Sequence, residues 1–140
     1  MKLGHVAITV QDMEKSLDFY CRVLGCKKAF ELNNPDTGKP WIVYLYLGEG
    51  QFLELFYDGS VANPWKPELR GFNHLSILVD DCTKKCEEIK AAGYPIDKEP
   101  KQAIDGNWQF WLTDPDGIRI EFMTFDPNCP QVKFTKEQEK

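Results

Sequence analysis

The chain predicts an α+β fold made of two tandem βαβββ modules, and three features of its 140 residues carry that prediction. The stretch Gly4-His5-Val6-Ala7-Ile8-Thr9-Val10 has a second version, Phe72-Asn73-His74-Leu75-Ser76-Ile77-Leu78-Val79. Each copy leads into an acidic turn and an amphipathic helix, and each helix is followed by three strand-like runs. Self-similarity at a fixed offset over half a chain marks a repeat.

The elements follow from local pattern. Along residues 3–10, His5, Ala7 and Thr9 point one way and Val6, Ile8 and Val10 the other. Asp12 or Ser16 can cap a helix reaching about Leu24, with Leu17, Tyr20, Val23 and Leu24 as its buried stripe and Gly25 as its stop. Residues 28–32 read as a short strand, 33–38 as a turn cluster and 41–47 as a strand, with Gly48-Glu49-Gly50 turning into a strand over 51–57. The second module runs as strand 72–79, helix 82–92 stopped by Gly93, a short strand near 94–98 and a loop to Gly106. Strands 107–113 and 118–124, joined by Asp114-Pro115-Asp116-Gly117, close it. The expected organisation is one domain over 1–125, with module one at 1–58, a Gly- and Pro-containing connector at 59–70 and module two at 71–125. Residues 126–140 read as a loosely attached extension of little function.

Composition excludes several classes of partner. A net charge of -5 argues against nucleic acids, whose binding rests on clustered Lys and Arg. The apolar run at the N-terminus is too short for a signal peptide or a membrane span, so a cytoplasmic protein without a membrane partner is expected. Five Cys, an odd number without paired CxxC spacing, read as free thiols. Cys82 and Cys86 lie four apart on the predicted helix and could share a metal, but ordinary reduced cysteines are the simpler reading.

Strand alternation brings out the chemistry. Phe52, Glu54 and Phe56 share one face of their strand, and Arg119, Glu121 and Met123 one face of theirs. Each helix must cover the more apolar opposite face, so His5, Glu54, His74 and Glu121 all fall on uncovered faces. Taken singly, an inward His is more often a satisfied core residue than a ligand. Here the only two His residues occupy matched positions of a repeat with matched Glu partners. Leaving such groups unpaired is costly, and two imidazoles with two carboxylates would neutralise a divalent cation. The N/O donor set suits Zn, Ni, Co, Mn or Fe(II) rather than Ca, and six-coordination leaves two positions for water or substrate. With regular hairpins, Tyr44, Tyr46, Asn107, Gln109 and Trp111 share these faces and suit a small polar organic substrate. Trp41 and Trp65, nearer loops, could line an entrance or a dimer contact.

The opening GHVAITV with its SLDFY helix, the FLELF strand, the HLSILVDD opening and the DPDGIRIEF close together resemble the glyoxalase I (lactoylglutathione lyase-like) branch of the vicinal oxygen chelate superfamily. The resemblance spans residues 1 to about 125. It implies a partly closed mixed β-barrel, the glyoxalase/bleomycin resistance/dioxygenase fold, around one divalent metal per site, Zn or Ni first. It also implies a homodimer, and His5, Glu54, His74 and Glu121 as the ligands. Ring-cleaving dioxygenases and fosfomycin-type resistance enzymes of the superfamily use two His and one Glu, so Glu54 in the fourth place favours the isomerases and epimerases. Glu121 is then the first choice of catalytic base and Glu54 its opposite number. The chain departs from the glutathione-using enzymes at two positions. Thr9, which would face the substrate, stands where they carry Arg, and Tyr57-Asp58-Gly59 where they carry Asn. Arg22, Arg70 and Arg119 could substitute, although the first two read more simply as surface charges. The expected activity is a metal-dependent lyase or isomerase acting on a hemithioacetal-type α-hydroxy carbonyl. An acyl-thioester epimerase of methylmalonyl-CoA epimerase type and a metal-free antibiotic-sequestering protein are the rivals.

Overall fold

Two apolar sheet faces, one in each half of the chain, organise the computed structural model, which describes residues 3–139. The chain divides into two compact units between Asn63 and Pro64, inside the expected connector.

In the first unit, β1 (His5–Thr9) leads to α1 (Met13–Leu17), a π-helical turn (Asp18–Val23), β2 (Lys27–Asn33), β3 (Pro40–Gly48) and β4 (Gln51–Phe56). The sheet order is β1-β4-β3-β2, with β1 parallel to β4 and the other pairs antiparallel. Ile8 and Val10, Val43 and Leu45, and Leu53 and Leu55 bury one face of this sheet. Asp12 caps α1, its carboxylate accepting from the Lys15 amide. A regular 3.6-residue period predicted Leu17 in the stripe. The wider π turn instead buries the consecutive Phe19 and Tyr20 as well as Val23 and Leu24, and leaves Leu17 half-buried. After β4 the chain turns back, and the Gly59 amide donates to the Val10 carbonyl at 3.0 Å. A Cβ at Gly59 would stand 2.9 Å from that oxygen, so only glycine fits.

The second unit repeats the order as β5 (Leu75–Leu78), α2 (Cys82–Ala91), β6 (Lys98–Gln102), β7 (Trp108–Thr113) and β8 (Arg119–Thr124), then adds α3 (Pro130–Gln138). Its sheet order β5-β8-β7-β6 matches the first, again with a parallel edge pair. Phe110, Leu112, Ile120 and Phe122 bury one face beneath Ile89, Cys82 and Cys86 of α2. Asp114 sets the β7–β8 turn, its carboxylate accepting from the amides of Asp116 and Ile118, while Gly117 takes the left-handed conformation. The α+β class with two βαβββ modules is therefore what the chain forms. No helix among the described residues is long and apolar enough to cross a membrane.

Three expectations are corrected. The strand expected near 94–98 begins at Lys98, because Tyr94 serves as a plug after the helix. Its hydroxyl donates to the Thr113 carbonyl, and burial, with the charges of Asp114 and Asp97, pushes its pKa up to about 12. β6 tolerates Pro100 as an edge strand and is held to α2 by Lys90 bridging Glu99 and Glu87. The first strand of the module begins at Leu75 rather than residue 72, which leaves His74 on the approach to it. The extension after residue 126 is not loose. Cys129 is buried and caps α3, and the fully buried Asn107 holds the segment, its side-chain oxygen accepting from the Asp126 amide and its side-chain nitrogen donating to Asp105 and Gln131.

Asn107→Ala is therefore expected to cost about 2–3 kcal/mol through buried partners left unmet, and to expose α3 to proteolysis before the rest of the unit. Burial raises the pKa of Asp105, but hydrogen bonds from Asn107 and Gln131 outweigh it and hold the carboxyl below its ordinary value. Its contribution is then full above the ordinary carboxylate range and is lost as pH falls through the lowered value. Protection of the α3 amides, corrected for the intrinsic pH dependence of exchange, should fall only in that acidic window.

Candidate metal centre

Register, more than sequence distance, builds the site. In the first unit Glu54 lies opposite Ala7 of β1 and Tyr44 of β3. In the second, Glu121 lies opposite Ser76 of β5 and Trp111 of β7. Each glutamate thus sits between a small residue and an aromatic one, on the sheet face its helix does not cover, and a His stands two residues before the small partner in both cases. Both carboxylates are buried, Glu54 5% and Glu121 8% exposed.

In each unit the imidazole reaches back to the carboxylate. His5 Nδ1 lies 3.4 Å from Glu54 Oε1, and His74 Nε2 lies 3.4 Å from Glu121 Oε2. These separations exceed a good hydrogen bond. They equal the roughly 3–3.5 Å expected between two donors bound at 2.0–2.2 Å to one ion. Among the described residues no Lys or Arg pairs with either carboxylate, and no three His, Cys, Asp or Glu side chains gather in one place. Each unit by itself supplies a two-donor arm, one nitrogen and one carboxylate oxygen, whose chemistry fits a divalent transition metal.

The neighbours of the two arms differ. Tyr44 hydrogen-bonds Glu54, which raises the tyrosine's pKa above its ordinary value. The Tyr44 ring stacks on Phe30 at 4.3 Å, and Tyr46 lies 5.5 Å from Phe52, so this face is aromatic. Thr9, at the end of β1, is exposed opposite Phe56. In the second unit His74 Nδ1 is 2.7 Å from Asn73 Oδ1. Its N–H donates there and leaves Nε2 with a lone pair toward Glu121, an outer hydrogen bond of the kind that orients metal-binding imidazoles. Trp111 packs edge-on against the His74 ring at 4.8 Å, and Gln109 lies on the same face opposite Met123.

The expected pocket residues therefore divide. Tyr44, Tyr46, Gln109 and Trp111 lie on the carboxylate faces of their sheets, with Thr9 at the strand end. Asn107 does not: β7 begins after it, and its amide is consumed in holding the tail. The Cys82–Cys86 pair is also set aside. The Cys82 thiol donates to the Trp108 and Phe122 carbonyls, and burial raises the pKa of both thiols, keeping them protonated. Asn73 was not singled out from sequence, although its place directly before His74 was the available signal.

Known proteins resemble the chain over most of its length. Residues 2–122 match the Glyoxalase/Bleomycin resistance protein/Dioxygenase superfamily. A protein of Vibrio cholerae named probable lactoylglutathione lyase is 33% identical over 126 residues, covering 87% of this chain and 89% of its own length. Lactoylglutathione lyase of Escherichia coli O157:H7 is 31% identical over 128 residues, covering 88% and 92%. The crystal structure of a glyoxalase family protein from Enterococcus faecalis superposes with a TM-score of 0.75 at 27% identity, over 87% of this chain and 96% of that one.

The role given to Asn73 can be checked directly. Nitrogen-15 NMR of neutral His74 should show the Nδ1–H tautomer, and Asn73→Ala should move it toward Nε2–H. An unchanged tautomer would remove Asn73 from the site.

Proposed function

The chain belongs to the Glyoxalase/Bleomycin resistance protein/Dioxygenase superfamily, and on that premise we propose that it is a divalent-metal-dependent lyase or isomerase of glyoxalase I type. Its substrate is an α-hydroxy carbonyl of hemithioacetal kind, on which it moves a proton between adjacent carbons. One observation carries the reading: a buried glutamate with no Lys or Arg partner among the described residues, 3.4 Å from an imidazole nitrogen, recurs at the same register of both units.

His5 with Glu54 in one unit and His74 with Glu121 in the other are the proposed metal ligands, for Zn or Ni first, with Co, Mn and Fe also suited to the donors. When bound, the ion supplies Lewis-acid stabilisation of the negative charge that develops in the transition state. Glu121 takes the proton from carbon, and Glu54 is its opposite number at the other carbon. Both are carboxylates shielded from bulk water, and each has a fixed neighbour that limits its movement. The Tyr44 hydroxyl donates to Glu54, while Trp111 holds the Glu121 side of the site by packing on His74. A homodimer and a cytosolic setting belong to the same proposal, the latter in keeping with five unbridged cysteines.

The relatives' names support the lyase over an acyl-thioester epimerase, which would use the same four groups. They also point to a glutathione adduct, whereas Thr9 and the segment Tyr57-Asp58-Gly59 stand where glutathione-using enzymes are expected to carry Arg and Asn. The thiol portion is therefore a matter for assay. A metal-free binding protein is less well supported, since it would bury two carboxylates with no cation to offset them.

Purified protein is expected to bind about one Zn or Ni per site, to lose activity on chelation and to regain it on adding metal. It should convert the methylglyoxal–glutathione hemithioacetal or an adduct of another thiol, and leave acyl-thioester stereocentres unchanged. Glu121→Gln should keep metal affinity within about tenfold while turnover falls about 10²–10⁴-fold, the usual contribution of a positioned base. Full activity in both Glu121→Gln and Glu54→Gln would refute the mechanism. Protein that neither holds nor rebinds metal would refute the reading as a whole.

A further inference from the structure

The two buried glutamates have different aromatic neighbours across the sheet. Trp111 faces Glu121 from β7, and Lys98 faces Trp111 from β6. Tyr44 faces Glu54 from β3, and Phe30 faces Tyr44 from β2. Trp111 turns its ring to His74, whereas Tyr44 turns its hydroxyl to Glu54. The first carboxylate is thereby held from two flanks, by His5 at 3.4 Å and by the phenol.

The way Phe30 reaches Tyr44 is particular. Lys27 pairs with Tyr46 and Lys28 with Leu45, but the next pair is Phe30 with Tyr44, so Ala29 is an extra residue on β2. Counting by twos from Lys27 would set Ala29 opposite Tyr44. The bulge sets Phe30 there instead, since a shift of one residue exchanges the two faces of a strand. Phe30 is 47% exposed, so core burial does not account for it. Its ring stacks on that of Tyr44 at 4.3 Å and 22°. Phe52, two residues before Glu54 on β4, meets the same tyrosine ring edge-on at 6.4 Å. Contacts on two sides restrict both side-chain torsions of Tyr44, and the hydroxyl arrives at Glu54 with little rotational freedom left to lose.

We infer that Tyr44, aligned by Phe30, is a positioning residue that fixes the Glu54 carboxylate beside His5 before any ion is bound. A carboxylate offers about four acceptor sites over its two oxygens, so a phenol bond leaves lone pairs for a cation. A glutamate already oriented by an outer hydrogen bond loses less freedom when it becomes a ligand. The bulged edge strand therefore acts on the metal arm through one ring and one hydroxyl. This role rests on the proposed lyase reading, in which Glu54 is a ligand.

The test combines Zn affinity, measured by competition with a chromophoric chelator, and infrared spectra of the metal-free full chain labelled with carbon-13 at its glutamate carboxyls. The carboxylate band lost in Glu54→Gln marks Glu54. That band should shift in Tyr44→Phe and stay in place in Tyr57→Phe, which removes a hydroxyl bonded to Glu31 instead. Tyr44→Phe should weaken Zn binding about tenfold, the scale of an outer partner's loss. Phe30→Ala should weaken it by a smaller factor and add nothing in the Tyr44→Phe background, because Phe30 acts through that hydroxyl. If Phe30→Ala fails to fold, Phe30→Leu takes its place in the cycle. An unmoved Glu54 band in Tyr44→Phe, Zn affinity equal to wild type in that variant, or a Phe30 effect undiminished without the hydroxyl would each overturn the role. Equal affinity in Tyr44→Phe and wild type leaves the lyase reading standing. Wild-type protein that binds no Zn or Ni overturns that reading and this role with it.

Discussion

Everything at the candidate site depends on one constraint: an ionised carboxylate buried in the middle of a β-sheet must be offset by positive charge, and among the described residues no Lys or Arg pairs with Glu54 or Glu121. An ionised carboxylate shielded from water is expensive. The fold buries two carboxyl groups at equivalent registers, each with an imidazole nitrogen at 3.4 Å. Ala7 and Ser76 are the small partners that leave room beside each carboxylate, while Tyr44 and Trp111 close the other flank. The parallel pairing of the first and last strand of each module is what sets His and Glu side by side across a long stretch of sequence. A divalent cation is the simplest agent that satisfies this arrangement, and the proposed chemistry follows from its charge.

The two modules share a frame and differ in what they place on it. At the position preceding the glutamate by two, the first carries Phe52 and the second Arg119. The first face is consequently aromatic, with Phe30, Tyr44 and Phe52 in one cluster, and the second is cationic, with Arg119 and Lys98 on Trp111. Duplication explains the matched donors. Divergence of the flanking residues explains why the two faces differ.

Much of this is legible in the amino-acid sequence, because it rests on period-two alternation and on the repeat. The faces assigned to His5, Glu54 and Glu121 follow from counting by twos, and the Asp114–Gly117 turn from its residue types. What is not legible depends on departures from regular geometry or on contacts distant in sequence. The π turn at Asp18–Val23 shifts the buried stripe to include Phe19, which an α-helical period places off the core. Pro100 hides an edge strand, since proline argues against a strand unless its amide side is unpaired. Asn107 looks like a pocket residue by parity alone. Its true partners, Asp105, Asp126 and Gln131, lie partly in a tail whose composition suggests no structure. That Arg119 lies against Trp65 is not legible either, because nothing in the connector's residues announces the contact.

Whether the two His–Glu arms are metal ligands is tested most directly by X-ray absorption at the zinc edge of the metal-loaded protein. The expected first shell holds two imidazole nitrogens with oxygen donors and no sulfur, losing one imidazole in His5→Ala and one in His74→Ala. A shell containing thiolate sulfur, or one unchanged in both His variants, would contradict the assignment.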